Sequence, residues 1–323
     1  MHRSCRHILI LGLAFVALNS LAAEKVYEET SGRTKWYLFR RPKMKTAPAQ
    51  LVYADQLLEQ GRTKRAMRHY LALTRFWPES PEAGEAQYKY ARLTDQRGKL
   101  LDAFDEYQRL FDHHTGFFPY EPVLQRQFEI AKQVMHTRKG KFFIFPGFAA
   151  PERAAPLFEK IVQNGPQSEH APEAQFLMGK AYEESLEYEQ AVAAYMKAQQ
   201  RYSWSPFAGQ ASFRTAHCYY LLAQESPNNK QLIENAWAAT VLFLSSYPKS
   251  EHAETAREYA ATLRRQRAHL AYNTAVYYDR IEKRPESALI AYRTLVREYP
   301  DSDWTEQAKS RIEELSKLVE TRK

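Results

Sequence analysis

The chain has 323 residues, 44% of them apolar and 13% aromatic, enough to bury a long thin core as readily as one globular centre. Only 11 glycines stand beside abundant Ala, Leu, Glu, Gln and Arg, which favours helix throughout and leaves no credible strand alternation. The formal charge of +8 is moderate, and in a chain expected to be exported it points away from nucleic acid and toward acidic headgroups or peptide carboxylates.

Residues 1–22 have the pattern of a secretory signal. Arg3 and Arg6 form the positive start, Ile8 to Leu18 the apolar stretch, and Ser20-Leu21-Ala22 a small-x-small cleavage site, so the expected mature chain begins near Ala23. Cys5 would leave with it, and Cys218, on a helix expected to pack within the fold, would remain as a small buried hydrophobe. Residues 23–48 are expected to form an irregular arm. Its aromatic and basic residues around Trp36 either cap the first repeat or lie at a membrane interface.

From residue 49 a pattern recurs. An alanine is followed four residues later by a bulky or β-branched residue in five of six cases an aromatic, then three later by an apolar one, and often five later by proline. The six runs start at Ala66, Ala103, Ala154, Ala191, Ala236 and Ala288; Ala66, Tyr70, Leu73 and Pro78 make up the first. Spacings of four and three share one helical face, and proline stops the helix by lacking a donor. A small residue lies twelve positions upstream in several units, as Ala54, Ala91 and Gly179 do, marking a second helix packed closely on the first. The predicted fold is therefore all-α, a tetratricopeptide-like solenoid of about six helix–turn–helix units. Repeats over 49–166 and 167–318 and a tail at 319–323 complete the predicted organisation, with serines of the Pro-x-Ser turns, Ser80 above all, expected to cap the next helix. An insertion over 137–150 carries Phe142, Phe143, Phe145 and Phe148, which either tuck onto the solenoid or form a contact patch for a partner or membrane.

Catalytic signatures are missing from the sequence: it has no phosphate loop, nucleophile elbow or metal-protease helix, and His113-His114 has the wrong spacing for two ligands on one face. Neither an enzyme nor a cofactor or metal is expected.

In its last third, Tyr247-Pro248-Lys249-Ser250, Ala275-Val276-Tyr277-Tyr278-Asp279-Arg280 and Tyr299-Pro300-Asp301-Ser302 follow one another among alanine-rich helices, and in this the chain resembles the BamD family of outer-membrane protein assembly factors. The resemblance implies a non-enzymatic periplasmic adaptor at the outer membrane that recognises unfolded outer-membrane proteins and docks on the barrel insertase. Members are usually lipoproteins, but Leu18 to Glu24 contains no lipobox cysteine, so tethering would fall to the arm or to a partner. Stacking geometry points the residues next to each small residue into a groove: Asp55, then Tyr88 and Arg92, then Phe128 and Lys132. Each aromatic–basic pair suits a peptide ending in an aromatic residue with a free carboxylate, or is ordinary groove-lining surface. Rival readings are another cell-envelope adaptor, for which residues 24–48 lack the expected heptads, and a helical-toroid hydrolase, which needs acids converging in a cleft.

Overall fold

A computed structural model describes residues 41–139 and 148–320. Trp36, Phe142, Phe143 and Phe145 lie outside the described residues, as does the side chain of Phe148. Thirteen α-helices are present among the described residues, and they fall into two compact units, one ending at Tyr120 and the other starting at Glu121.

The first unit contains α1 (Ala47–Glu59), α2 (Thr63–Phe76), α3 (Pro81–Gln96) and α4 (Leu100–His113), each packed on the next. α5 (Tyr120–His136) leads into the second unit, followed by α6 (Ala155–Asn164), α7 (Ala171–Glu184), α8 (Tyr188–Arg201), α9 (Phe207–Glu225), α10 (Lys230–Ser246), α11 (Ala253–Val276), α12 (Pro285–Glu298) and α13 (Thr305–Glu320). From α6 onward each helix packs on its successor. The periodicity told helix from strand except at one place. Arg138–Lys139 and Phe148–Ala149 form a two-residue antiparallel pair at the ends of the insertion, too short for alternation to register in the sequence.

All six alanine-led runs are buried from the alanine to the third apolar position, with Tyr70, Tyr195, Phe158 and Phe243 fully enclosed. Helices α2, α6, α10 and α12 end two residues before Pro78, Pro166, Pro248 and Pro300, where proline could neither donate nor avoid the preceding turn. The upstream small residues do allow close approach. A Cβ built on Gly179 would stand 2.6 Å from the Tyr195 ring, well inside contact distance. Cys218 is buried in this same core with Tyr195, Ala211 and Phe176, and burial pushes its thiol pKa up.

Ser80 does not cap with its hydroxyl as expected, whereas Ser250 Oγ accepts from the His252 amide at 3.3 Å, just before the next helix. Ser80 is the N-cap of α3 yet makes no side-chain cap bond, and its Oγ is buried without a partner among the described residues. The backbone carbonyls of Ser80, Ser168, Ser250 and Ser302 each accept from the amide three residues on, closing a turn.

Two polar devices hold successive helices together. A buried glutamine four residues before the small residue reaches nineteen residues ahead, to the partner helix: Gln50 Nε2 donates to the His69 carbonyl, Gln87 to Glu106 at 2.8 Å, and Gln175 to Ala194 at 3.0 Å. Left unpaired, each buried amide would cost about 1–3 kcal/mol.

The second device is a clamp in which an acid on or just past one helix takes a phenol from the next helix and a cation from the one after. Asp55 of α1 accepts from Tyr70 of α2 at 2.6 Å and pairs with Lys89 of α3 at 2.8 Å. Glu183 of α7 accepts from Tyr195 of α8 at 2.6 Å and pairs with Arg214 of α9 at 2.9 Å. Asp279, in the π-helical turn Tyr277–Ile281 after α11, meets Tyr292 of α12 and takes both arms of Arg311 of α13, each at 2.7 Å. Its hydrogen bonds to Arg311 hold the Asp279 carboxyl below the usual carboxylate range, and burial, then Asp279, push the Tyr292 phenol up to about 12.

Candidate peptide-binding faces

First helices of neighbouring repeats lie side by side, α1 with α3 in the first unit, and α7 with α9 and α9 with α11 in the second. Their shared faces are where a bound segment would run. In the first unit, Arg92 lies over the Tyr88 ring, 5.7 Å from its centroid, one turn along α3. Arg92 is exposed and Tyr88 half-buried, and no carboxylate pairs with this guanidinium among the described residues. Asp55 sits on the neighbouring α1, but both its oxygens serve the clamp to Lys89 and Tyr70.

The second unit holds the other expected pair. Lys132 Nζ is 5.1 Å from the Phe128 ring, so the aromatic–basic pairing forms here too. Its surroundings differ, because Phe128 is only 5% exposed and the Lys132 ammonium is bound to Glu173 at 2.8 Å. The structure therefore brings Tyr88 to Arg92, and Phe128 to Lys132, while leaving Arg92 as the cation with an open coordination.

A seam of stacked rings that sequence reasoning missed continues along the second unit. Phe128 stacks on His170 at 5.0 Å, Phe176 on Phe207 at 5.5 Å, and Phe213 on His252 at 4.1 Å. In each case the aromatic three residues before a small one meets a ring at the start of a later first helix. The signal was present: offsets that select Phe128 from Ala131 also select Phe176 from Gly179 and Phe213 from Ala216, and Ser-Glu-His-Ala occurs identically at 168–171 and 250–253.

Around Phe213 the seam widens. His217 Nδ1 and the Tyr259 hydroxyl are 2.8 Å apart, Tyr259 stacks on Tyr220 at 4.1 Å, and Arg214 projects from the same face. Phe213 itself is buried, so this shelf presents the half-buried rings of His217, Tyr220, His252 and Tyr259 and the Glu183-paired guanidinium of Arg214, groups suited to extended chain with aromatic or apolar residues. Farther along α11, Leu270, Asn273, Thr274, Tyr277 and Tyr278 with Lys230 line an open depression of about 330 Å³. Among the described residues no group of three or more His, Cys, Asp or Glu side chains is placed to hold a metal.

Burial lowers the His217 pKa, Glu183 opposing and Arg214 adding to the effect. A base whose folded pKa is depressed stays neutral in the fold while the unfolded chain protonates, so its contribution is complete above the unfolded value near 6.5 and fades as pH falls through the window below it. Thermal melts across about pH 5 to 8 are expected to show the second unit losing stability on the acid side, and His217→Gln is expected to flatten that slope. An unchanged slope in the variant would assign the acid sensitivity to another group.

A family model described as YfiO, outer membrane lipoprotein, matches residues 180–321, from the end of α7 through α13. No curated protein matches the chain. Among solved structures, the C-terminal part of a TPR repeat-containing protein from Cytophaga hutchinsonii is 15% identical, covering 92% of this chain and 97% of that one with a TM-score of 0.32. A tetratricopeptide repeat protein from Parabacteroides merdae is also 15% identical, over 84% of this chain and 98% of that one, with a TM-score of 0.29. A thermophilic TPR protein of Thermus thermophilus is 17% identical over 68% of this chain and 99% of that one, with a TM-score of 0.27.

Proposed function

We propose that this chain is a periplasmic, non-enzymatic adaptor of outer-membrane protein assembly that holds unfolded barrel substrates and docks on the barrel insertase. The observation that carries the reading is the match of the outer membrane lipoprotein family model to 180–321, a segment that contains the Phe213–His252 stack and two of the three clamps. Repeats of this kind suit the task, since many weak contacts along adjacent first helices hold an extended segment without chemistry.

In this reading Tyr88 and Arg92 take an aromatic side chain and a carboxylate of the substrate, with Asp55 fixing α1 against α3 beside them. Phe128 and Lys132 are a contact of the second unit in their own right, where a substrate carboxylate would exchange with Glu173 for the lysine. Trp36, Phe142, Phe143, Phe145 and Phe148 are proposed as contacts to the insertase or the membrane.

Two measurements test this. Affinity purification from the native envelope in mild detergent is expected to recover a large barrel protein; recovery of division or peptidoglycan-associated proteins alone would move the chain to another envelope adaptor class. Replacing both Arg92 and Lys132 by alanine is expected to weaken binding of C-terminal barrel-protein peptides about tenfold, the loss of one or two charge-assisted contacts. Unchanged affinity would remove these residues from the site.

A further inference from the structure

We propose that the outward face of α2 is a docking surface for an anionic lipid bilayer. The surface is separate from the peptide-binding faces and does not depend on which peptide they hold. Lys64, Arg68 and Arg75 recur along α2 with half-buried Leu71 between them, spacings of four and seven that form a single stripe. The stripe is about 16 Å long at the helical rise. Arg62 and Arg65 flank it, and all five cations are exposed.

Two features mark this face. Exposed Lys99, Arg257 and Lys309 are each matched by an acid one turn away, Asp102, Glu254 and Glu306. Helix α2 has no acidic residue, and among the described residues no carboxylate pairs with Arg62, Lys64, Arg65 or Arg68. Its charge also works against the helix. Arg62 is the N-cap, and Lys64 and Arg65 stand in the first turn, where the backbone dipole is already positive. Folding gains nothing from three cations there, whereas an anionic surface does.

The shape favours a bilayer over an acidic peptide. The apolar side of α2, with Ala66, Met67, Tyr70 and Leu73, is spent in the core, so the helix lies along a surface rather than wedging into one. A straight row of cations meets a plane of headgroups all at once. At its far end Phe76 is 47% exposed beside Trp77, a ring pair suited to the headgroup level. Gln50 of α1 accepts from the amides of Lys43 and Met44 and donates to the His69 carbonyl of α2, and Arg41 and Lys45 of the same leading segment are exposed.

The test is co-sedimentation of the full chain with vesicles of phosphatidylcholine, with and without phosphatidylglycerol. The expected result is binding that requires the anionic lipid and weakens with salt as exposed charges are screened. Lys64→Glu with Arg68→Glu is expected to lower it at least about tenfold, two charges being reversed at a surface where each counts. Acid near a helix N-terminus favours the helix, so circular dichroism should match the parent and the loss will not be one of folding. Arg264→Glu with Arg265→Glu changes the net charge equally on another unit and should leave binding intact. Parent-like binding by the α2 variant overturns the proposal, as does equal loss in both variants, which would make net charge the cause. Tighter binding of polyglutamate than of vesicles through the same residues would also overturn it, giving the face to a protein partner.

Discussion

Replacing Tyr195 by alanine is expected to destabilise the second unit by about 3–5 kcal/mol, the range for deleting a large buried ring. The side chain is fully buried, closes on Gly179 and Phe176, and sends its hydroxyl to Glu183 at 2.6 Å. Tyr195→Phe separates packing from the clamp. It keeps the ring but removes a hydrogen bond to a charged acceptor, a loss of about 1.5–3 kcal/mol that Arg214 limits by continuing to pair with the carboxylate. Denaturant transitions of the two variants measure both parts, and a Tyr195→Ala chain as stable as its parent would remove the tyrosine from the core of the argument. Gly179→Ala probes the same contact from the other side, its added Cβ at 2.6 Å from an enclosed ring.

Ala288→Glu is the second large effect. Ala288 is fully buried in a cluster with Ala268, Leu289, Tyr292, Leu295 and Ala308, and it leads the last of the six runs. A carboxylate there has to be desolvated at a cost of several kcal/mol without a partner, a large share of the 5–15 kcal/mol that typically separates folded from unfolded domains. Ile290→Glu, two residues on, replaces a side chain that is 68% exposed and is expected to stay within about 0.5 kcal/mol of the parent. Similar melting of the two variants would mean that the face assigned to α12 is wrong. The pair tests packing alone and leaves the proposed partner to the envelope purification.

Much of this architecture was legible because helical repeats are written in local spacing. The step from Ala66 to Tyr70 to Leu73 spans two turns of one helix, and such short-range order appears in the sequence as periodicity. The glutamine ties were equally regular, at 50, 87 and 175, four residues before a small one, and their meaning emerges only when the carbonyl nineteen residues on is seen to accept them. The clamps were harder to read. Their acids precede their tyrosines by 15, 12 and 13 residues, so no fixed offset announces them. The Ser80 cap was misread because a turn sequence does not say whether hydroxyl or carbonyl will meet the amide.

The candidate site divides along the same line. Sequence by itself determined that Tyr88 and Arg92, like Phe128 and Lys132, share a helical face, since residues four apart must. Only the tertiary structure decided which of them stay available. Asp55 is taken by a lysine 34 residues away and Lys132 by a glutamate 41 residues away, while Arg92 keeps its guanidinium free of acids among the described residues. Local periodicity follows from the geometry of one helix, but the partner of a charge is set by how the intervening turns place the next helix, and those turns vary in length from repeat to repeat.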